Sequence, residues 1–145
     1  MNSKVVTTLA LAAALIVGAG ATAAQDRGDM TERDVRRVLA AEGYTDIDDI
    51  EFDDGMWEAE ARRRGGREVD LRIDPRTGAI YPEDGRSRLS ADDIRASLAA
   101  AGYERIHDVD FDDGLWEAEA YDRRGQEWEL YLDPRTAEIV GRKRD

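Results

Sequence analysis

Ten residues set the terms for this chain. Phe52 to Ala61, FDDGMWEAEA, returns fifty-nine residues later as FDDGLWEAEA, Phe111 to Ala120. Residues 31–81 align on 90–140 without a gap, and 27 of the 51 positions are identical. A duplicated sequence builds one supersecondary unit twice and buries between the copies what either leaves exposed. A unit of ~55 residues lies near the size at which a single core is marginal. Repeat 1 (31–81) and repeat 2 (89–145) are therefore expected to lean on each other. The linker 82–88, with Pro82 and Gly85, reaches at most ~25 Å and keeps them neighbours.

Each repeat opens with a helix signal. Thr31 is placed to cap, with Asp34 three residues on and Met30 able to pack on Val35; Ser90, Asp93, Leu89 and Ile94 repeat the pattern. The spacing buries Val35, Val38 and Leu39 in the first copy, and Ile94, Leu98 and Ala99 to Ala101 in the second. Gly43 and Gly102 end the helices, and Tyr44 and Tyr103 are expected to fold back as packing lids.

The period then changes from 3.6 to 2. Ile50 and Phe52, with Val109 and Phe111, alternate with acids, and Asp-Asp-Gly makes a tight turn. Trp57, Ala59 and Ala61 share one face of the next strand, and Trp116, Ala118 and Ala120 repeat it. A third strand turns Val69, Leu71 and Ile73 inward, matched by Trp128, Leu130 and Leu132. An Asp-Pro-Arg-Thr turn and a short last strand follow, at 79–81 and 138–140. The prediction is an α+β fold of two tandem repeats, each one helix packed on a three- to four-stranded antiparallel sheet. The methyl-only strand of alanines lets the helix approach closely.

Residues 1–24 read as a secretory signal: Lys4, an apolar run from Val5 to Val17, and small residues before a cleavage point near Ala23 or Ala24. Residues 25–30 form a polar lead-in. The expected product is periplasmic or extracellular and not an integral membrane protein. With no cysteine it carries neither lipid anchor nor disulfide. Net charge is −12 overall, and loss of Lys4 makes it −13. That excess repels phosphate backbones, so nucleic acid is not an expected partner.

Little in the residues points to catalysis. After residue 24 the nucleophilic hydroxyls of serine are Ser87, Ser90 and Ser97, and Ser90 is already a cap. His107 aligns with Asp48, outside the repeated pattern, and reads as a solvated histidine. Glu58 with Glu60, and Glu117 with Glu119, resemble a hydrolytic carboxylate pair only in spacing, without flanking aromatics. No catalytic residue is assigned, and the protein is expected not to be an enzyme. Among cofactors only calcium is considered, at the tips Asp53, Asp54, Asp112 and Asp113. The EF-hand spacing fails there, because Gly114 stands at its third place. A strand of about six residues holds these tips ~20 Å from the basic turns around Arg62 to Arg64 and Arg123 and Arg124, giving each repeat an acidic and a basic pole.

The capped helix with its Gly-Tyr stop, the hairpin led by Trp57, Glu58 and Ala59, the turn Asp74 to Gly78, and their counterparts at Trp116 to Ala118 and Asp133 to Thr136 together resemble the PepSY domain, twice. Ala137 departs from the pattern where repeat 1 has Gly78, which puts the type of the last turn in question. The resemblance implies a helix-on-sheet module found in propeptides of secreted metallopeptidases and in free-standing envelope proteins, restraining proteases or binding other proteins. Tandem copies also resemble the beta-lactamase inhibitor protein architecture. The implied function is a secreted, non-enzymatic interaction module, a protease inhibitor or regulator, with a peptidase or envelope protein as partner in trans. The alternative is a calcium-responsive envelope protein. The candidate binding surface is the outer sheet face and hairpin tips: Met56, Glu58, Glu60, Arg64, Leu115, Glu117, Glu119, Tyr121 and Tyr131. The alternation places Met56, Leu115, Tyr121 and Tyr131 on that charged face, where a contiguous apolar patch would mark a docking site.

Overall fold

The computed structural model describes residues 30–144. The signal segment 1–24 and the lead-in up to residue 29 lie outside the described residues. Repeat 1 comprises α1 (Glu32–Ala41), β1 (Thr45–Asp53), β2 (Met56–Arg62), β3 (Glu68–Ile73) and β4 (Ile80–Pro82). Repeat 2 comprises α2 (Ala91–Ala100), β5 (Glu104–Asp112), β6 (Leu115–Tyr121), β7 (Glu127–Leu132) and β8 (Ile139–Arg144). The strands form two separate antiparallel meanders, β1-β2-β3-β4 and β5-β6-β7-β8. Among the described residues no helix is long and apolar enough to cross a membrane.

Both helices begin and end as local chemistry dictates. Thr31 and Ser90 each accept from the backbone N–H of the aspartate three residues on, and that aspartate accepts from the cap's own N–H. At the other end Gly43 N–H donates to the Ala40 carbonyl and Tyr44 N–H to that of Leu39, with Gly43 at φ +89°. Gly102 and Tyr103 repeat this on Ala99 and Leu98. Val35 and Leu39 of α1 are buried against Trp57, Ala59, Ala61, Val69, Leu71 and Ile73; Ile94 and Leu98 of α2 lie on the matching surface. Val38 is only half-buried, and Ala99 to Ala101 are exposed, contrary to the sequence expectation. Ala99 and Ala100 fall off the Ile94–Leu98 stripe, and Ala101 is the C-cap at the end of the helix.

The first strand of each repeat does not alternate strictly. Thr45 pairs with Arg62, Asp48 with Glu60 and Glu51 with Glu58, so β1 advances three residues for two of β2, twice. The extra residues, Asp46 and Asp49, take φ of 45° and 47°. These bulges put Ile47 and Ile50, three apart, on the core side together, and Ile47 is a core residue the period-2 reading missed. β5 does the same at Arg105 and Asp108.

Two further expectations are corrected. Ala137 takes φ +57° where Gly78 takes +73°, and donates to Asp133 as Gly78 does to Asp74, so the last turn is the same in both repeats. The final strand of repeat 2 runs on to Arg144, whereas β4 stops at Pro82.

The outer sheet faces meet. Met56, Tyr81, Leu115, Tyr131 and Val140 form a third buried cluster, separate from the two helix-sheet cores. Each Asp-Asp-Gly turn lies against the last strand of the other repeat: a methyl on Gly55 would stand 2.7 Å from the Arg142 carbonyl, and one on Gly114 would stand 2.1 Å from that of Pro82. Both glycines also have positive φ, as a two-residue hairpin turn requires.

Candidate functional site

The sequence-predicted surface residues fall into three groups. Met56, Leu115 and Tyr131 are buried, at 1%, 0% and 1% exposure. The alternation did place them on the outer faces, but there they join the repeats instead of forming an open apolar patch. Tyr121 is half-buried beneath Arg105, whose guanidinium carbon is 3.6 Å from the ring centroid. Arg64 is exposed at its turn.

Glu58 and Glu117 belong to an ion network centred on Arg72, a residue the sequence reading did not single out. Arg72 sends Nη1 to Glu117 at 2.8 Å and Nε to Glu58 at 3.4 Å, with Asp113 at 3.9 Å. Burial pushes both glutamate carboxyls up, against the pull of Arg72. Its position, opposite Glu58 across the β2-β3 ladder, was the available signal.

Glu60 is exposed, and the charges of Asp49 and Asp70 push its carboxyl up. Among the described residues seven carboxylates, including Asp49, Glu51, Glu58, Glu60 and Asp70, line an open trough of about 230 Å³ with Arg72 as its one cation. It is chemically suited to guanidinium or ammonium groups.

The tips are not free poles. Asp54 takes Lys143 Nζ at 3.0 Å and the Tyr131 hydroxyl at 3.4 Å, and Asp113 faces Arg72. At the basic end, Arg63 grips the linker residue Asp84 with two hydrogen bonds of 2.9 and 2.8 Å. Asp53 and Asp112 are exposed. Among the described residues no three carboxylates at these tips bring ligand atoms together as a cation site needs.

Among the described residues the serines all have structural partners. Ser87 Oγ accepts from Trp116 Nε1 at 2.9 Å and from the Leu89 N–H at 3.0 Å, and donates to the Pro134 carbonyl at 2.7 Å. Ser97 donates to the Ala137 carbonyl at 2.9 Å. His107 is not simply solvated: Nδ1 lies 2.9 Å from Asp108 and 3.6 Å from Glu119, and Nε2 lies 3.4 Å from Glu127.

A family model described as peptidase propeptide and YPEB domain matches the chain twice, over residues 7–84 and 82–143. No curated protein and no solved structure matches.

Proposed function

The chain belongs to the peptidase propeptide and YPEB domain family, which its two repeats both match, and from that premise we propose that it is an extracytoplasmic, non-catalytic binding module that restrains or regulates a peptidase. The observation that carries this reading is the open acidic trough on the first sheet, walled also by Glu83 of the linker and Asp113 at the tip of repeat 2. Its occupant is a basic segment of the partner, because seven carboxylates around one arginine favour cationic side chains and repel acidic ones. Complementary charge of this kind chiefly speeds association and weakens with salt.

The test pairs the purified protein with secreted peptidases of its own source, scoring binding and inhibition at 50 and 500 mM salt. The expected result is a peptidase that binds at low salt, weakens at least tenfold at high salt, and weakens similarly with Glu60→Lys and Asp70→Lys together. Absence of any peptidase that is bound or inhibited, or binding indifferent to both salt and the double variant, would overturn the reading.

A further inference from the structure

On the outer face of the second sheet, three adjacent strands each contribute one metal-binding side chain. His107 stands on β5 directly opposite Glu119 on β6, and Glu127 stands on β7 opposite Tyr121. One ligand atom from each of His107, Glu119 and Glu127 lies within 4.8 Å of the other two. We propose that these three residues form a site for a divalent first-row transition ion of the zinc class.

The ring is held as a metal-bound imidazole is held. Asp108 sits 2.9 Å from Nδ1, fixing the ring by one nitrogen, while Nε2 faces Glu127 at 3.4 Å. Two ligands each about 2.0–2.1 Å from a tetrahedral ion stand about 3.3 Å apart; the Nε2–Glu127 edge already has that length, while Glu119, now 3.6 Å from Nδ1, must swing toward Nε2 to close a set whose atoms lie within 4.8 Å of one another. One imidazole and two carboxylates favour zinc, cobalt or nickel over calcium, which prefers an all-oxygen cage.

Repeat 1 supplies the contrast. The aligned positions there are Asp48, Glu60 and Glu68, and Arg62 takes the place of Tyr121. Arg62 lies 3.5 Å from Glu68 and 3.6 Å from Asp46, so a protein cation already stands in that position. In repeat 2, among the described residues, Glu119 and Glu127 have no ion pair with lysine or arginine; the nitrogen beside them is the His107 imidazole. Arg105, the nearby cation, lies instead over the Tyr121 ring. Repeat 2 thus replaces an aspartate with a nitrogen ligand and an arginine with a neutral side chain, and both changes favour a metal.

The test titrates metal-stripped protein with zinc chloride by calorimetry, with calcium chloride as a control, and follows the cobalt form by its visible absorption. The expected result is one equivalent of zinc per chain, a raised melting temperature, cobalt bands with a nitrogen ligand, and calcium at least tenfold weaker. His107→Ala, Glu127→Gln and Tyr121→Arg, each confirmed folded by circular dichroism, should each weaken zinc at least tenfold, whereas Glu68→Gln in repeat 1 should not. No zinc binding, zinc affinity within twofold of the original in His107→Ala or Glu127→Gln, or calcium as tight as zinc would overturn the assignment.

Discussion

Arg72 and Tyr131 occupy the same position in the two repeats, fifty-nine residues apart, and they meet, with the guanidinium carbon 5.0 Å from the ring centroid. The pair is the hub of a pseudo-twofold arrangement: Arg72 reaches toward Asp113 at the tip of repeat 2, and the Tyr131 hydroxyl, which donates to Glu129 at 2.7 Å, lies 3.4 Å from Asp54 at the tip of repeat 1. A strictly repeated residue could not serve here, since two arginines would repel and two tyrosines would leave Glu58 and Glu117 without a cation.

Replacing Arg72 by alanine should therefore cost more than an ordinary surface change. Its side chain is 19% exposed, and its loss strands the half-buried Glu117 and Glu58. A loss of about 2–3 kcal/mol is expected in urea unfolding, below the 3–5 of a fully buried pair because solvent screens part of it. Adding Glu117→Gln should return part of that loss. Equal stability of Arg72→Ala and the unaltered protein would show the network to be idle.

Leu115 tests whether the repeats fold as one. It is fully buried in the cluster between the sheets. Leu115→Ala should cost about 2–4 kcal/mol, and hydrogen exchange should speed up in β2 of repeat 1 as well as in β6. Loss of protection confined to repeat 2 would mean that the copies are stable independently.

Ser87, in the linker, joins Trp116, Leu89 and Pro134 through one hydroxyl. Ser87→Ala leaves the indole N–H of a tryptophan that is 8% exposed without this partner. The expected cost is about 1–3 kcal/mol, read by thermal melting, with a shift in the Trp116 fluorescence. Ser87→Thr, which keeps the hydroxyl, should recover most of it.

The pH profile follows from opposed groups. Glu58 and Glu117 are raised first by burial, and Glu60 first by Asp49 and Asp70, so each carries a penalty when ionised. That penalty is full above their folded values and vanishes below about 4.3, the ordinary glutamate value. His107 is raised by its hydrogen bond to Asp108, and its stabilisation is present below about 6.5 and lost at higher pH. Burial pushes Asp133 up, but hydrogen bonds from the Arg135 N–H, the Tyr81 hydroxyl and the Thr136 N–H win and hold it low. Thr31 and Ser90 hold Asp34 and Asp93 low in the same way. These last three stabilise above about 3.9 and cease to do so as pH falls through their folded values. Melting temperature should therefore rise from pH 7.5 to about 5 and fall below about 4. A steady decline from 7.5 to 5 would contradict this balance.

The sequence by itself determined whatever rests on neighbours along the chain: the two capped helices, the Gly-Tyr stops, the Asp-Gly hairpin turns, the alanine strand beneath each helix, and the duplication. Those signals act over three or four residues, so they survive without knowledge of the rest. Only the tertiary structure decided which outer faces meet, because that depends on residues tens of positions apart. It buried Met56, Leu115 and Tyr131, which alternation alone left facing water, and it turned Arg72 into a hub between the copies. It also set two bulges in β1 that bring Ile47 inward. A similar slip in β5 sets His107 against Glu119, and β7 adds Glu127, a meeting across three strands that no local pattern announces.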